Sequence, residues 1–145
     1  MSTNKTEESR IRKQIEDWAV KFRAKDLDGI MSIYAPDIVS FDAIAQLQFK
    51  GADEYRKHWE ACLSFCQGPI IFETRDLNIT AGDDVAFSHC LTWCGGTDES
   101  GEEKASWMRA TVCWRKVNGE WKVVHEHYSA PFDMESGKAL FDLKP

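Results

Sequence analysis

The sequence predicts a single α+β domain, with helices in the first half of the chain and an antiparallel sheet in the second. The spacing of apolar residues indicates this, because it is helical up to about residue 65 and alternates from about residue 70 onward. The length agrees, since 145 residues suit one hydrophobic core and no linker or repeat divides them. We therefore expect residues 1–145 to form one domain, with the helices packed on one face of a curved sheet.

Two helices are predicted near the start of the chain. Over residues 6–25 apolar side chains recur at three- and four-residue steps with charged residues between them, which is typical of an amphipathic helix. Asp26 is placed to cap a second, shorter helix. We expect that helix to continue through Tyr34 and to end before Pro36, because proline disfavours helix in the residue that precedes it.

A strand, a loop and a third helix follow. Residues 38–42 are predicted to form the strand, and the loop carries the chain from residue 46 to residue 50. Gly51 opens a helix that runs to about Phe65, and Gly68-Pro69 stops it.

The second half of the chain predicts four strands, near residues 70–81, 85–94, 105–117 and 120–129. Turn-forming residues separate them, and the last turn is Asn118-Gly119, the strongest local signal for a hairpin. We expect these strands to form an antiparallel meander.

Composition narrows the possible classes of function. The formal net charge of −6 argues against a nucleic-acid partner, which requires a clustered basic surface. The beginning of the chain lacks the apolar core of a signal peptide, and no later stretch approaches the roughly 18 apolar residues of a membrane span. We expect a cytoplasmic protein without a membrane partner.

The five cysteines are an odd number in a chain that does not look secreted, so reduced thiols are expected rather than a disulfide framework. Cys62 and Cys66, and likewise Cys90 and Cys94, are spaced like pairs of zinc ligands. On a strand, however, the second pair would lie roughly 13 Å apart, too far to share one tetrahedral ion. A phosphate-binding loop and a dinucleotide fingerprint are also missing, so we expect neither a metal nor an organic cofactor.

Aromatic residues are unusually abundant, with six tryptophans, eight phenylalanines and three tyrosines. Such large side chains favour a roomy, aromatic-lined interior, in which indole and phenol groups need hydrogen-bond partners. We expect most of them to belong to the core, and Trp18, Tyr34 and Trp59 to line a binding pocket.

Three segments resemble a known family. The sequence AKDLDGIMSIYAPDIVSFD at residues 24–42 resembles the second helix and first strand of the nuclear transport factor 2-like superfamily, especially its SnoaL-like and ketosteroid-isomerase-like branch. Residues 51–59 look like the third helix of that family, and residues 112–131 like its closing strands. The resemblance extends over about residues 7–132.

This resemblance implies a cone-shaped barrel of cystatin-like type, in which a strongly curved antiparallel sheet wraps around three N-terminal helices and leaves a blind pocket. It also implies a small-molecule ligand and a homodimer built on the outer face of the sheet. We expect Val112 and Trp114 to contribute apolar surface to that outer face. Residues 133–145 are expected to pack back, as a lid or at the subunit interface.

Asp42 is the first candidate for catalysis, because by resemblance it falls where ketosteroid isomerase has its proton-shuttling aspartate. A carboxylate desolvated in an aromatic pocket gains the basicity of a general base. The alternative is an aspartate at a strand end that faces water or caps the next turn. The two oxyanion donors of the same enzyme fall at Trp18 and about Cys113. An indole and a thiol make a weak pair for enolate chemistry, so steroid isomerisation is not expected.

The last strand carries a second group of candidates. His125 and His127 share one face of it, and Glu126 and Tyr128 share the other. The histidines suit acid/base catalysis, or a structural or interface role. The resemblance favours Glu126 and Tyr128 as the residues that line the pocket. A bulge would reverse the alternation, so both assignments stay open.

Arg109 and Thr111 lie on the face of the preceding strand that the resemblance assigns to the pocket wall. Arg109 would pair there with Asp42, Glu126 or an anionic ligand, because an unpaired buried arginine is costly. Its alternative is a surface ion pair. His89, on the neighbouring strand, would face the same space as a ligand-binding residue, or be an ordinary core residue.

Two functions stay open at this point. In the first, the protein is a cofactor-independent enzyme of isomerase, dehydratase or cyclase type that acts on an apolar molecule with a carbonyl or carboxylate group. Asp42 would be its base, and Arg109 or a histidine its electrophile. In the second, it is a non-catalytic ligand-binding or dimeric assembly module, since one fold can host either.

Overall fold

The computed structural model describes residues 3–145 and shows the predicted α+β fold, with helices packed against a curved six-stranded sheet. The helices are α1 (Lys5–Arg23), α2 (Leu27–Met31) and α3 (Ala52–Phe65). The strands are β1 (Tyr34–Phe41), β2 (Phe49–Lys50), β3 (Ile70–Ala81), β4 (Val85–Thr97), β5 (Glu103–Val117) and β6 (Glu120–Ser129).

The strands lie in the order β2-β1-β6-β5-β4-β3. The predicted meander is confirmed, because β3, β4, β5 and β6 pair antiparallel in succession. Asn118 and Gly119 both have positive φ, as a tight hairpin turn between β5 and β6 requires. The sequence did not predict that β1 pairs parallel with β6, which brings the end of β1 beside the end of the last strand.

Helix α1 begins at a side-chain cap and is anchored to the far hairpin. The side chain of Asn4 accepts hydrogen bonds from the first backbone N–H groups of the helix, which otherwise lack partners. Glu7 is buried and accepts hydrogen bonds from Trp121 Nε1 at 2.6 Å and from Lys116 Nζ at 2.9 Å. The apolar face of α1, which includes Trp18, is therefore held over the inner face of the sheet.

The second helix is shorter than predicted. Asp26 caps it as expected, with its side chain accepting a hydrogen bond from the backbone N–H of Gly29. The helix ends at Met31, and Tyr34 opens β1 instead of closing α2. Pro36 lies within β1, in the stretch between the Tyr34 and Val39 pairings where β1 makes no register with β6. Its missing N–H therefore interrupts no hydrogen bond between these two strands.

A bulge in β6 decides which side chains face inward. Trp114 of β5 is opposite Val123, whereas its neighbour Cys113 is opposite His125, so Val124 is an extra residue. Before the bulge the odd-numbered residue Val123 is buried, and after it the even-numbered Glu126 is buried. The inner face of β6 beyond the bulge thus carries Glu126 and the residue two positions later.

The two faces of β5 are also the reverse of those expected from the sequence. Trp114 is only 1% exposed, and Val112 packs against the core, so both point inward and not to the outer face of the sheet. Arg109 and Thr111 are exposed on the outer face. The even-numbered positions of this strand, and not the odd-numbered ones, belong to the interior.

The C-terminal segment folds locally. Phe132 forms an isolated bridge with Ala139, and Leu140 N–H donates to the carbonyl oxygen of Pro131. Its apolar side chains stay exposed, including Met134 and Phe141. No residue of 133–145 lines the large cavity described below, so this segment is not its lid.

Candidate functional site

A cavity of about 770 Å³ lies between the helices and the inner face of the sheet. Its floor is aromatic and buried, with Trp18 and Phe22 from α1, Trp59 from α3 and Phe72 from β3. These four rings pack on one another at centroid distances of 5.1–5.8 Å, mostly edge to face. The arrangement gives the cavity a rigid apolar floor.

A chain of hydrogen-bonded acid and phenol groups extends from the cavity wall into the core. Asp42 lines the cavity, and its Oδ2 accepts a hydrogen bond from the Tyr55 hydroxyl at 2.9 Å. The same hydroxyl lies 2.7 Å from Glu126 Oε1, and Tyr34 donates to that oxygen at 3.0 Å. Glu126 is 2% exposed. The chain therefore joins a carboxyl at the cavity to a fully buried one.

The two carboxyl groups of this chain contact one and the same hydroxyl group. A tyrosine hydroxyl has a single proton, so Tyr55 can donate to only one of its two carboxyl contacts. Burial raises the pKa of Glu126 to about 7, and nearby Asp42 adds to the rise, while the hydroxyls of Tyr55 and Tyr34 oppose it. When Glu126 is protonated it donates to Tyr55, and Tyr55 donates to Asp42, so every contact is satisfied.

Asp42 is held in place by further contacts. Its Oδ1 accepts a hydrogen bond from the Ile44 backbone N–H at 3.1 Å and lies 3.5 Å from His58 Nε2. The Asp42 side chain is 13% exposed and that of His58 is 8% exposed. The Ile44 contact is the turn-capping role that the sequence left as an alternative, and the same carboxyl also faces the cavity.

His58 in turn contacts a cysteine. Both residues lie on α3, four positions apart, and Cys62 Sγ is 3.6 Å from His58 Nε2 and 4.0 Å from its Nδ1. The imidazole stacks on Tyr55 with an interplanar angle of 9°. Because Cys62 and His58 both line the cavity, the side of α3 that faces it carries a base and a thiol beside Asp42.

Several polar groups of the cavity wall have no hydrogen bond within residues 3–145. They include two fully buried atoms, Trp59 Nε1 and Thr92 Oγ1. Tyr128 also lines the cavity, and burial raises the pKa of its hydroxyl well above the ordinary value, so this group is a neutral donor. A second cavity, of about 50 Å³, lies behind it and contacts Glu126.

The structure brings together six of the residues predicted from the sequence. Asp42, Trp18, Trp59 and Tyr128 line the large cavity. Glu126 and Tyr34 lie behind its wall and are joined to Asp42 through the hydrogen bonds described above. The choice between the two faces of the last strand, which the sequence left open, falls on the face that carries Glu126 and Tyr128.

The other five predicted residues lie on the outer face of the sheet, away from Asp42. His89, Thr111 and His127 are exposed and form one cross-strand row, and Arg109 donates to Ser129 Oγ in the next row. His125 packs edge to face on Phe41, as does His127. None of these five residues lines the large cavity, and of them only His89 is next to the small one. The expectation that Arg109 and Thr111 face the pocket is wrong because of the alternation in β5, and His125 and His127 do not face it because of the bulge in β6.

Sequence reasoning missed two residues of the site, Tyr55 and His58, as functional groups. The signal was present, because Tyr55, His58 and Cys62 recur at three- and four-residue steps and so share one side of α3.

The described part of the chain contains no group of three histidine, cysteine, aspartate or glutamate side chains arranged to hold a metal ion. Within the same residues, no helix is long and apolar enough to span a membrane.

Residues 11–133 match the model of a SnoaL-like domain family, and the chain belongs to this family. No curated protein matches the chain. One solved structure, an NTF2-like protein of unknown function from Pseudomonas putida, is 50% identical and superposes with a TM-score of 0.93, covering 99% of this chain and 100% of the other. The fold and the family are thereby shown, and the activity is not.

More distant solved structures share the fold alone. A protein of the NTF2-like family from Streptomyces avermitilis, provisionally described as a dehydratase, is 17% identical with a TM-score of 0.76, and 88% of this chain and 97% of that one are covered. The association domain of CaMKII from C. elegans is 18% identical with a TM-score of 0.70, over 86% of this chain and 96% of that one. The same fold thus occurs in proteins with different descriptions.

Proposed function

We propose that the chain binds a small, largely apolar molecule bearing a carbonyl or carboxylate group in the large cavity, and that Asp42 exchanges a proton with this molecule. The observation that carries the proposal is the position of Asp42. Its carboxyl faces the cavity and is connected through one tyrosine hydroxyl to a second, buried carboxyl, Glu126. This is an arrangement for moving a proton rather than for supporting the fold.

The chemistry that suits this geometry is general acid/base catalysis without a cofactor. A base in a water-poor cavity can remove a proton next to a carbonyl group and return it elsewhere, as isomerases, dehydratases and cyclases do. The buried pair contributes by holding one exchangeable proton. When Glu126 is protonated, the Tyr55 hydroxyl donates to Asp42, which can accept a proton from the ligand. When Asp42 holds the proton and Glu126 is ionised, Asp42 donates to Tyr55 and Tyr55 donates to Glu126, so the hydrogen-bond chain is complete with one proton at either end.

The cavity wall also supports the proposed ligand class. Its aromatic floor favours an apolar body, and burial of such a body is favourable by roughly 25 cal/mol per Å² of apolar surface. The hydroxyl of Tyr128 is a neutral donor for one ligand oxygen. Small shifts of the wall would also let Trp59 Nε1 donate to the ligand, which would relieve the cost of an unpaired buried donor.

The proposal can be tested without knowing the natural ligand. β-Tetralone, a flat bicyclic ketone, exchanges its acidic C–H protons in D₂O, and NMR measures the rate. We expect the protein to accelerate this exchange and the Asp42→Asn variant to lose the acceleration by about 100-fold or more, the range found for general bases. Asp37→Asn is the matched control, since Asp37 is exposed on β1, the strand that Asp42 directly follows.

Two outcomes would overturn the proposal. One is exchange that the wild-type protein does not accelerate although β-tetralone binds in the cavity, as seen from chemical-shift changes at Trp18 and Trp59. The other is acceleration that Asp42→Asn and Asp37→Asn retain equally. The first outcome would favour a non-catalytic ligand-binding module.

A homodimer through the outer face of the sheet is the second part of the proposal. Phe87 is 47% exposed there, and Trp93 packs on Trp107 at a centroid distance of 5.4 Å on the same face. Phe41 adds an exposed ring at the edge of β1. A second copy of this chain would cover these rings, and the apolar residues of 133–145 would lie near the end of the same sheet.

A further inference from the structure

We propose that Cys62 is a second reactive group of the large cavity, whose thiol adds to the β-carbon of an α,β-unsaturated carbonyl compound with His58 as the base. The inference goes beyond the proposed proton exchange by Asp42, and it names a ligand class that an acid/base site alone does not define. It shares the cavity with the proposed function but does not require Asp42 to act on a C–H bond.

The first support is the arrangement of three side chains along the cavity wall. Cys62 Sγ lies 3.6 Å and 4.0 Å from the two ring nitrogens of His58, and His58 Nε2 lies 3.5 Å from Asp42 Oδ1. Nε2 is thus the ring nitrogen nearest to both the thiol and the carboxyl group. When Nδ1 carries the proton of the neutral ring, Nε2 is the basic nitrogen, and the imidazolium formed when it accepts the thiol proton lies beside the Asp42 carboxyl group. Nucleophile, base and carboxyl group therefore lie together, as they do around activated cysteines.

The second support is that all three groups line the same cavity. Asp42 and His58 are largely shielded from water, with side-chain exposures of 13% and 8%. His58 is further fixed by Phe49, whose ring lies 4.3 Å from it, and by the stacked ring of Tyr55. A molecule that occupies the cavity therefore meets a positioned base and not a mobile surface histidine.

Cys62 differs from the other cysteines of the chain. Among residues 3–145 it is the cysteine whose sulfur contacts a histidine ring nitrogen, whereas Cys66 donates to the carbonyl oxygen of Gly68. Burial raises the pKa of Cys90 and of Cys94 to about 11. Burial and the charge of Asp42 also raise the pKa of Cys62, so its thiol needs a neighbouring base to react.

The proposed step balances without an oxidant or a cofactor. Nε2 of His58 accepts the thiol proton as sulfur bonds to the β-carbon of the enone. The electron pair of the C=C bond moves to the α-carbon and the carbonyl oxygen as an enolate. His58 then returns the proton to the α-carbon, leaving a thioether that carries a saturated carbonyl group. The reverse path releases the enone.

The test uses benzylideneacetone, an aryl methyl enone, and its saturated analogue 4-phenylbutan-2-one. Intact-mass measurement should show one added enone per chain at limiting reagent, and peptide mapping should place it on Cys62. The saturated ketone should give no adduct. His58→Gln should slow labelling of Cys62 by about 100-fold, the lower part of the range for a general base. Cys113→Ser, at an outer-face thiol, should leave the labelling of Cys62 unchanged.

Three results would overturn the inference. The first is labelling of all five cysteines to similar extents, which is the pattern expected of the unfolded protein. The second is an adduct that maps to Cys66, Cys90, Cys94 or Cys113 in preference to Cys62. The third is a His58→Gln variant that folds, by circular dichroism, and labels as fast as wild type. Mapping of the wild-type adduct stays decisive even if that variant does not fold.

The two proposals fail in distinguishable ways. β-Tetralone lacks a C=C bond for conjugate addition, so its proton exchange reports on Asp42 and not on the thiol. Loss of exchange with selective labelling of Cys62 would remove the proposed function alone. Normal exchange without selective labelling would remove the covalent step alone.

Discussion

Replacing the buried carboxyl group of β6 by an amide should make the protein more resistant to alkaline pH. The glutamine side chain of a Glu126→Gln variant has the shape of the protonated acid, and its amide oxygen at the position of Oε1 can accept from both Tyr55 and Tyr34. The variant therefore keeps both tyrosine contacts of the buried side chain. What it loses is the ability to ionise.

The magnitude follows from the pKa of Glu126, which burial raises from 4.5 to about 7. Between these two pH values Glu126 holds a proton in the folded chain and releases it in the unfolded chain. The stabilisation that is present below the pKa of the unfolded chain is therefore lost as the pH rises through the pKa of the folded chain. Each tenfold change in the proton-binding constant corresponds to about 1.4 kcal/mol. Between about pH 5 and pH 8 the wild-type protein should therefore lose about 2 to 3 kcal/mol that the variant keeps.

The assay is urea unfolding of both proteins at about pH 5 and pH 8, from which the difference in the free energy of unfolding is obtained. Titrations of groups that do not interact with Glu126 occur in both proteins and cancel in this difference. Glu120→Gln is the matched control, because Glu120 begins the same strand with a side chain that is 74% exposed. A difference between wild type and Glu126→Gln that does not change with pH would refute the reasoning.

Two further predictions follow from the contacts. Tyr55→Phe removes the hydroxyl between Asp42 and Glu126 and should cost about 1–3 kcal/mol, measured by urea unfolding at about pH 5; a cost near zero would show that the contact is not formed in solution. Phe87→Glu should convert a dimer to a monomer in sedimentation, whereas Val20→Glu, at an even more exposed position on α1, should not. A monomeric wild-type protein would contradict the proposed interface.

Much of the fold could be predicted because its signals are local. The cap at Asp26 and the turn at Asn118-Gly119 depend on a few adjacent residues, and the structure confirms both. The predicted end of α2 was wrong, because Tyr34 belongs to β1, where it pairs with Val123 on a strand about 90 residues later. The helix and strand propensities of the residues near Tyr34 contain no information about that partner.

The candidate site was harder to predict, for a related reason. One extra residue, Val124, reverses the alternation of β6 and moves Glu126 to the inner face and His127 to the outer one. A bulge is set by the strain of the curved sheet and by the pairing with β5, and it leaves no local mark in the sequence. Asp42 was found through resemblance, while His58 could have been found through helical spacing from Tyr55.

Burying the carboxyl group of Glu126 costs free energy, and this cost argues that the hydrogen-bonded chain of Asp42, Tyr55 and Glu126 has a role at the cavity. A leucine at this buried position would fill a similar volume and carry no desolvation penalty, and apolar replacement of buried charged groups is often neutral or stabilising. The carboxyl instead requires two tyrosine hydroxyls and a proton to be tolerated in the core. If this side chain were needed only for packing, replacing its carboxyl group by an apolar group would stabilise the fold. The acid is therefore best explained by its connection, through Tyr55, to the carboxyl that faces the ligand cavity.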